Sequence, residues 1–482
     1  PTHRRACTAD QRGLGMRTVA AIAVLLSGVT FAANVDAQSV SFCQQVAPIL
    51  VRRCLACHGE QKFKGEYQLS TFDALMKAGE SGDAAIAAGK PENSYLFQLI
   101  TDGEMPKDAD ALSKDEVDLI KNWIAGGAKF DGGDPKAELV STVVWKHPDP
   151  PEFYTRPFPV TALAFRPDGK EIAVGGHYEI TIWNAEDGTL ARRIKNVAER
   201  TYALAYNKAG SQLAVASGTP AQLGEVKLFN AADGKLLRHF GSMSDCAFDI
   251  TFSSDGKRLA ACGADHKVRV YDAASGKQEL TIDDHSDWVM GVAWSPDGSK
   301  VATASRDKTC KLFDAKTGEL TLTYSEHGQT VYDIAFSADG SRVISCGGDG
   351  RIRVWHSTDQ GYEDKDMKKK KREHIHDIGG FGGEIFDLAP HDGRVFACWS
   401  EKAASQHESE KRNQISQYSG HNEWVLALDY NPATNWLVTG GLDGQVRIWN
   451  AEETDKAKMN VTTFVAAPGY KAATAQASDD AR

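Results

Sequence analysis

The chain has 482 residues, which is enough for two or three domains with sizeable cores. Its composition, 41% hydrophobic and 25% charged, is that of an ordinary soluble globular protein, and its formal net charge of -10 argues against a nucleic-acid partner. Forty-four glycines and ten tryptophans favour many short strands joined by tight turns, so most of the chain is expected to be all-β.

The start of the chain predicts export. Residues 1–15 precede the first methionine and have no apolar periodicity, so they are interpreted as upstream sequence. A positive n-region at Arg17 and an apolar region over residues 19–33 lead to a small-residue cleavage site after Ala37, the pattern of a secretory signal peptide. With residues 1–37 removed, no membrane span is expected, and the mature protein is expected to be periplasmic or otherwise exported. An uncleaved anchor is the alternative.

A haem-attachment motif follows, in the stretch FCQQVAPILVRRCLACHG at residues 42–59. Cys54, Cys57 and His58 form C-x-x-C-H, the attachment signature of a c-type haem. Two thiols at this spacing can bond to the two vinyl groups of one porphyrin, and the adjacent imidazole is then delivered to the iron as an axial ligand. The motif therefore predicts one covalent haem c, held by Cys54 and Cys57 and ligated by His58.

Two other uses of a C-x-x-C pair fit the sequence less well. A zinc site needs a second pair of ligands at comparable spacing, but the next histidine after His58 is His147 and the next cysteine is Cys246. A thioredoxin-like redox pair follows a strand, whereas this motif ends an amphipathic run in which Val46 and Ile49 share a helical face. Haem attachment is the favoured interpretation.

The sixth position on the haem iron has two methionine candidates within the region of residues 40–132. Met76 lies in a predicted helix, where a packing role is expected. Met105 lies in the loop sequence GEMPKD, and a thioether held on such a loop is what a His/Met cytochrome requires. Met105 is therefore the predicted distal ligand, and the alternatives are a different ligand or an open site.

A helix is predicted near the end of this region. Ser113 and Glu116 make an S-x-x-E capping box, and Gly126 can terminate the helix. The apolar stripe between them comprises Val117, Ile120, Trp123 and Ile124. Together with the helix before the motif, this helix can sandwich a haem edge, and the haem would supply much of the core of so small a domain.

Five sequence blocks within residues 41–130 together resemble the Planctomycete-type cytochrome c domain. They are FCQQVAPILVRRCLACHG, KFKGEYQLS, GKPENSYLFQLI, EMPKD and LSKDEVDLIKNWIAGGA, in the order of that family. The resemblance implies a small all-α, class I-like cytochrome domain over residues 40–132. It also implies Cys54 and Cys57 as attachment sites, His58 as proximal ligand and Met105 as distal ligand.

A segment rich in Pro, Gly and Asp, residues 133–159, is the predicted linker, with one strand-like run, LVSTVVW. Beyond it the chain repeats itself over residues 160–467. Most turn pairs are 41 to 46 residues apart, which is the period of a four-stranded propeller blade. The turn pairs are Asp168-Gly169, Ala209-Gly210, Asp255-Gly256, Asp297-Gly298, Asp339-Gly340, Asp392-Gly393 and Ala433-Thr434. Seven such units predict an all-β, seven-bladed propeller.

The repeats resemble WD repeats in the residues that end the third strand of each unit. These pairs are Trp183-Asn184, Phe229-Asn230, Tyr271-Asp272, Phe313-Asp314, Trp355-His356 and Trp449-Asn450. Two units keep the whole hydrogen-bonded tetrad of that family: His327, Ser345, Asp349 and Trp355 in one, and His421, Thr439, Asp443 and Trp449 in the other. The resemblance implies a WD-repeat β-propeller.

Two features leave the propeller prediction open in detail. In the sixth unit, WSEKAASQHESEKRNQ replaces a recognisable third strand. The outer strand that closes the ring can come from VTTFVAA near the C-terminus or from LVSTVVW before the first unit.

Three other sequence features are interpreted as structural or solvent-exposed, without a role in catalysis. A His, a Ser or Thr and an Asp suggest a hydrolase, but the same set recurs at fixed repeat positions beside a tryptophan, which favours a structural role and no catalytic residues. The segment KDMKKKKREHIH, residues 365–376, is expected to be a solvated loop, with docking of an acidic redox partner as the alternative. Residues 468–482 are expected to be disordered.

The leading hypothesis is an exported monohaem cytochrome that transfers or senses electrons and uses its propeller to dock a partner. Its partners would be a redox protein and a propeller-bound protein, with no nucleic acid. A second hypothesis is an oxidoreductase whose propeller oxidises a substrate and passes electrons to the haem. The third is an interaction scaffold with a structural haem. Whether the protein is an enzyme is left open, with an electron carrier favoured.

Overall fold

A computed structural model describes residues 40–59, 64–107, 109–359 and 373–470. The predicted signal peptide, the lysine-rich run at residues 365–371 and residues 471–482 of the predicted tail lie outside the described residues. In the described parts of the chain, a helical region precedes six antiparallel sheets.

The helical region begins with a helix that passes from π-helical to α-helical geometry and is then kinked. A π-helical segment, Phe42–Val46, continues into α1, Ala47–Arg53, and a kink at Cys54 leads to α2, Leu55–His58. The remaining helices are α3 (Phe72–Leu75), α4 (Tyr95–Thr101) and α5 (Lys114–Ala125), with short 3-10 turns at Lys64–Glu66 and Pro91–Asn93. Helix α5 begins at the predicted capping box, because Ser113 N donates to Glu116 Oε2 at 2.9 Å and Glu116 N to Ser113 Oγ at 3.3 Å.

A compact aromatic core joins the two ends of the helical region. The ring of Phe42 contacts those of Phe72 and Trp123, with ring centroids 4.9 and 5.1 Å apart. Leu139 and Val143, which belong to the predicted linker, are fully buried in the same core. The core therefore extends beyond residue 132 in sequence.

The strand-like run LVSTVVW forms no strand. Its first residues make the short helix α6, Leu139–Thr142, in which Thr142 Oγ1 donates to the carbonyl oxygen of Leu139 at 2.8 Å. The β-branched residues of the run suggested a strand, but burial of Leu139 and Val143 against the helical core outweighs that local preference. The run is therefore not the outer strand of the propeller.

The six sheets contain 27 described strands, and each sheet is antiparallel. The first sheet has seven strands: β1 (Leu163–Phe165), β2 (Glu171–Gly175), β3 (His177–Asn184), β4 (Leu190–Tyr206), β5 (Gln212–Thr219), β6 (Leu223–Asn230) and β7 (Leu236–Met243). The next two are β8 (Ala247–Phe252), β9 (Arg258–Gly263), β10 (Val268–Asp272) and β11 (Gln278–Ile282), then β12 (Val289–Trp294), β13 (Lys300–Ser305), β14 (Cys310–Asp314) and β15 (Leu320–Tyr324).

The last three sheets have four strands each, in chain order. They are β16 (Val331–Phe336), β17 (Arg342–Gly347), β18 (Ile352–His356) and β19 (His374–Ile378); β20 (Ile385–His391), β21 (Arg394–Trp399), β22 (Ala403–Glu408) and β23 (Gln414–Ser419); and β24 (Val425–Asn431), β25 (Trp436–Gly441), β26 (Gln445–Asn450) and β27 (Asn460–Val465). His374 and His376 thus lie on a strand, which corrects the solvated-loop prediction for the end of residues 365–376.

The first and last sheets lie side by side, as a β-propeller requires. Phe165 N in β1 donates to Asp429 Oδ2 in β24 at 2.8 Å, across 264 residues of sequence. Val160 N donates to the carbonyl oxygen of Gly441 at 3.0 Å. Of the two candidate closing strands, VTTFVAA is the one that forms the outer strand, β27, of the last sheet.

The sixth unit has a third strand, contrary to the sequence expectation. Strand β22 pairs with β21 and β23 along its length. Its buried polar side chains bond to one another, with Ser405 Oγ 2.8 Å from His407 Nε2 and Tyr418 OH donating to Gln406 Oε1 at 3.0 Å. The polar composition concealed the strand because the bond from Tyr418 to Gln406 forms only when the fold brings β22 and β23 together.

Candidate haem-binding site

The C-x-x-C-H motif lies where the first helix kinks. Cys54 lies between α1 and α2, and the amides of Cys57 and His58 both donate to its carbonyl oxygen at 3.1 Å. This single turn holds the two thiols and the imidazole of the motif within the five residues 54–58, which are Cys54 and helix α2. Cys57 is exposed, and Cys54 is half-buried.

The ring of His58 has a defined orientation. Its Nδ1 lies 3.1 Å from the carbonyl oxygen of Tyr67, and because a carbonyl can only accept, Nδ1 carries the proton. The amide of Leu69 donates to the carbonyl oxygen of His58 at 2.7 Å, and Tyr67 OH donates to that of Leu75 at 2.8 Å. The lone pair of His58 Nε2 is therefore available to a metal.

A cavity of about 440 Å³ brings together the four residues predicted from the sequence. Cys54, Cys57, His58 and Met105 all line it. Its walls are otherwise mainly apolar and include Leu69, Ala85, Leu96, Leu99, Ile100 and Leu112. Met76, the other candidate distal ligand, packs against the core of the helical region and does not line this cavity.

The loop that carries Met105 is attached to helix α4. The amides of Glu104 and Met105 both donate to the carbonyl oxygen of Leu99 at 3.0 Å. Arg53, which precedes the motif, donates from Nη2 to the carbonyl oxygens of Asp110 at 2.6 Å and Ala111 at 2.9 Å. Arg53 therefore ties the motif helix to the segment that follows Met105. The motif alone does not reveal this role, since sequence spacing does not show which carbonyl groups lie near Arg53.

The donor set and the cavity fit a c-type haem. An imidazole nitrogen and a thioether line the same apolar space as two thiols at attachment spacing. Burial raises the pKa of the Cys54 thiol to about 11, although the neighbouring Arg53 charge opposes the shift. A neutral thiol suits the apolar wall of such a cavity.

Three His-Asp pairs are buried in the sheets of the described part of the chain. In the two predicted tetrads, His327 Nε2 lies 2.8 Å from Ser345 Oγ and His421 Nε2 lies 2.9 Å from Thr439 Oγ1. The tryptophan of each tetrad donates to the same hydroxyl, from Trp355 Nε1 at 3.1 Å and from Trp449 Nε1 at 2.9 Å. These side chains connect neighbouring strands, which is the structural role expected for them.

The third pair was not recognised from the sequence. His285 Nδ1 lies 2.7 Å from Asp307 Oδ2, and His285 Nε2 lies 2.7 Å from Thr303 Oγ1. Phe313 occupies the place of the tryptophan in this unit, so no indole donates to the hydroxyl. The spacing from histidine to aspartate is the same as in the two complete tetrads and was the signal that could have revealed it.

Comparison with known families agrees both with the cavity lined by the C-x-x-C-H motif and with the repeated sheets. Residues 54–109 match the family described as Planctomycete cytochrome C. Residues 234–272, 276–314, 318–356 and 412–450 match the WD domain, G-beta repeat. The chain is a fusion of a Planctomycete cytochrome C domain with WD repeats. No curated protein matches the chain.

The family matches have two consequences for this fusion. Membership of the cytochrome family implies haem c binding, and WD repeats suggest interaction with other proteins. Within the described ranges, none of the helices combines the length and the apolar character that crossing a membrane requires.

A buried ionic cluster fastens the segment after the cytochrome domain to the WD repeats. His147 Nε2 lies 2.7 Å from Glu225 Oε2, and Lys227 Nζ lies 3.0 Å from the same oxygen. The side chains of Glu225 and Lys227 are fully buried. Burial opposes ionisation of Glu225, but the charges of Lys227 and His147 hold its pKa below its usual range. Lys227 also donates to the carbonyl oxygen of Asn196 at 2.9 Å.

Direct backbone contacts extend this attachment to the cytochrome domain itself. The amide of Val144 donates to the carbonyl oxygen of Cys43 at 2.8 Å, and Ser242 Oγ in β7 donates to the carbonyl oxygen of Val143 at 3.1 Å. The amide of Cys43 donates to Asp131 Oδ1 at 2.9 Å, and burial raises the pKa of its thiol well above the usual range. Cys43 is therefore a core residue of the cytochrome domain, a role that the sequence left unexplained.

Proposed function

We propose that this protein is an exported, monohaem c-type cytochrome that transfers or senses electrons, with the WD repeats as its docking platform. The observation that carries the proposal is the single cavity lined by Cys54, Cys57, His58 and Met105. A haem bound there supplies a one-electron iron centre. The secretory pattern of residues 16–37 supports export, because attachment of haem c takes place outside the cytoplasm in this class of protein.

The residues of the cytochrome domain have distinct parts in this proposal. Cys54 and Cys57 are the attachment thiols, and His58 offers Nε2 as the proximal ligand because its Nδ1–H is engaged by Tyr67. Met105 is the distal ligand, held by the hydrogen bond that its amide donates to the carbonyl oxygen of Leu99. A thioether opposite an imidazole favours a high reduction potential, which suits an electron carrier. We propose domain bounds of 40–132 for the class I-like cytochrome fold, 133–159 for the linker and 160–467 for the propeller.

The blade count of seven is also part of the proposal. Strand β4 has 17 residues; its first part, from Leu190, pairs with β3, and its last part, from Arg200 to Tyr206, pairs with β5. The seven-stranded sheet is then two blades that share one continuous strand. Five four-stranded sheets complete a ring of seven.

Haem staining and redox titration of the protein test this function. The chain would be expressed with haem-maturation machinery and purified from the exported fraction, and we expect one covalent haem per chain. A chain that carries no covalent haem under these conditions would end the proposal. Capture of partner proteins by the oxidised and reduced forms tests the electron-transfer part, and partner binding that ignores the redox state would favour a scaffold.

A further inference from the structure

The first strands of six units share a bulge at a residue with a large apolar or aromatic side chain. In each, the pairing register shifts around the second residue of the strand or its equivalent. The bulged residues are Tyr202, Phe248, Met290, Tyr332, Phe386 and Leu426, and all are half-buried. A bulged residue lies outside the paired ladder, because two residues of its strand oppose one residue of the partner strand there.

Ring contacts join four of these residues to two tryptophans, in two arcs. In one, the ring of Phe248 lies 5.3 Å from Tyr202 and 5.5 Å from Trp288, between centroids. In the other, the ring of Phe386 lies 5.5 Å from Tyr332 and 5.9 Å from Trp424. Each arc ends at a tryptophan that immediately precedes a first strand, β12 or β24.

The two tryptophans occupy the same place in their units. The amide of Arg306 donates to the carbonyl oxygen of Trp288 at 2.9 Å, and the amide of Leu442 donates to that of Trp424 at 2.8 Å. Arg306 and Leu442 are therefore equivalent residues, and so are the acidic residues that precede the tryptophans, Asp287 and Glu423.

In the unit that contains Trp288, an arginine of the same unit lies over the indole ring. The guanidinium carbon of Arg306 lies 3.9 Å from the centroid of the Trp288 ring, and its Nε lies 2.9 Å from Asp287 Oδ2. A cation over an indole and beside a carboxylate is a favourable arrangement for a planar guanidinium group.

The unit of Trp424 has the indole and the carboxylate without the arginine. Leu442 replaces Arg306, and Trp424 is 47% exposed. Among the described residues, no guanidinium lies over the Trp424 ring and no cation pairs with Glu423. A further carboxylate lies on the same arc, that of Glu384, which accepts from Tyr332 OH at 2.7 Å. The arc is therefore apolar and acidic.

We propose that Trp424 and Glu423 form a binding site for an arginine side chain of a partner protein. The guanidinium group takes the position that Arg306 takes over Trp288, and apolar residues beside the partner's arginine pack on Phe386 and Tyr332. The proposal rests on the proposed role of the WD repeats as a docking platform and names both the face and the chemistry of the partner. Its occupant is a segment of a partner chain that carries arginine next to an apolar residue.

Binding of fluorescent peptide pools to the haem-loaded protein tests the proposal. Each pool consists of nonapeptides with a fixed central residue and randomised neighbours, and the central residue is arginine, lysine or citrulline. We expect the arginine pool to bind on the order of tenfold more tightly than the citrulline pool, which lacks the charge but keeps the shape. Trp424→Ala and Glu423→Gln should each remove most of this preference.

Leu442→Arg is the sharpest variant, because it supplies the missing arginine from the chain itself. Leu442 is 41% exposed, so the change requires no repacking of the core, and we expect the variant to lose the preference for the arginine pool. Leu320→Ala, which removes another exposed leucine (46% exposed) from outer strand β15, is the matched control and should bind as the unaltered protein does.

Several results would overturn the assignment. Equal binding of the arginine and citrulline pools, or an arginine preference that survives in both Trp424→Ala and Leu442→Arg, would exclude this site. Concentration-dependent self-association that Leu442→Arg abolishes would identify a second copy of the chain as the occupant instead. Haem content and reduction potential measured on the same samples separate these failures from failure of the cytochrome proposal, since the peptide variants leave the cytochrome domain unchanged.

Discussion

The Nδ1–H of His58 donates a hydrogen bond to the backbone carbonyl of Tyr67 at 3.1 Å. The bond selects one tautomer of the imidazole and presents Nε2 to the cavity that Cys54, Cys57 and Met105 also line. Because the acceptor is a backbone carbonyl, it is independent of the identity of residue 67. The phenol of Tyr67 contributes separately, through its bond to the carbonyl oxygen of Leu75 at 2.8 Å.

Replacement of Met105 tests the distal ligand. We expect Met105→Ala to retain covalent haem, to lose the absorption band of a sulfur–iron bond and to lower the reduction potential by on the order of 0.1 V, because axial ligands control the potential. Met76→Ala is the matched control, since Met76 packs in the core and does not line the cavity. A sulfur–iron band that persists in Met105→Ala and disappears in Met76→Ala would reverse the assignment.

Replacement of the cysteines tests attachment. We expect Cys54→Ser combined with Cys57→Ser to leave no haem on a denatured gel, because no thioether bond remains. Cys43→Ser should retain covalent haem, since Cys43 is buried in the core beside Asp131. Its expected effect is a loss of roughly 1 kcal/mol in the free energy of unfolding. Covalent haem in the double variant would show that other residues attach it.

Asp307 should make part of the propeller's stability depend on acidity. Burial opposes ionisation of Asp307, but hydrogen bonds from His285 and Thr309 outweigh it and hold its pKa well below the usual range. A carboxyl group whose folded-state pKa is depressed contributes stability that is complete above the unfolded pKa of about 3.9 and is lost as pH falls through the folded pKa. We expect Asp307→Asn to lower the free energy of unfolding at pH 6 by about 1–3 kcal/mol relative to the unaltered protein. The difference between the two proteins should become smaller as the pH approaches 2.

The unaltered protein and Asp307→Asn are compared by thermal unfolding between pH 2 and pH 6. Asp392→Asn is the control, because the Asp392 side chain is 77% exposed in its contact with His391. Parallel stability curves for the unaltered protein and Asp307→Asn would refute the linkage.

The buried ion pair next to the cytochrome domain should be much more important for stability than an exposed pair nearby. Glu225→Gln leaves Lys227 buried without its carboxylate, and we expect the free energy of unfolding to fall by about 3–5 kcal/mol. Asp149→Asn breaks the exposed pair with Lys195, which lies in the same segment of the structure, and should cost at most about 1 kcal/mol. Chemical denaturation measures the free energy of unfolding that each variant loses. Equal losses would contradict the expectation that the buried pair stabilises the protein more than the exposed pair.

The fold was largely predictable where a local pattern has a single physical meaning. The capping box of Ser113 and Glu116 starts helix α5 as expected, since both of its hydrogen bonds are made within four residues. The run LVSTVVW and strand β22 were interpreted incorrectly, because in both cases a distant partner decided the outcome. Leu139 and Val143 are buried by the helical core, and Gln406 bonds to Tyr418 of the next strand.

The sequence by itself determined the chemistry of the candidate haem site. Two thiols and an imidazole at C-x-x-C-H spacing are local, so their use was readable from Cys54, Cys57 and His58 alone. Only the tertiary structure decided that Met105 and not Met76 lines the cavity, that Tyr67 orients His58, and that Trp424 lacks the arginine that covers Trp288. Each of these depends on which groups folding brings within a few ångströms of one another, and sequence spacing does not record that distance.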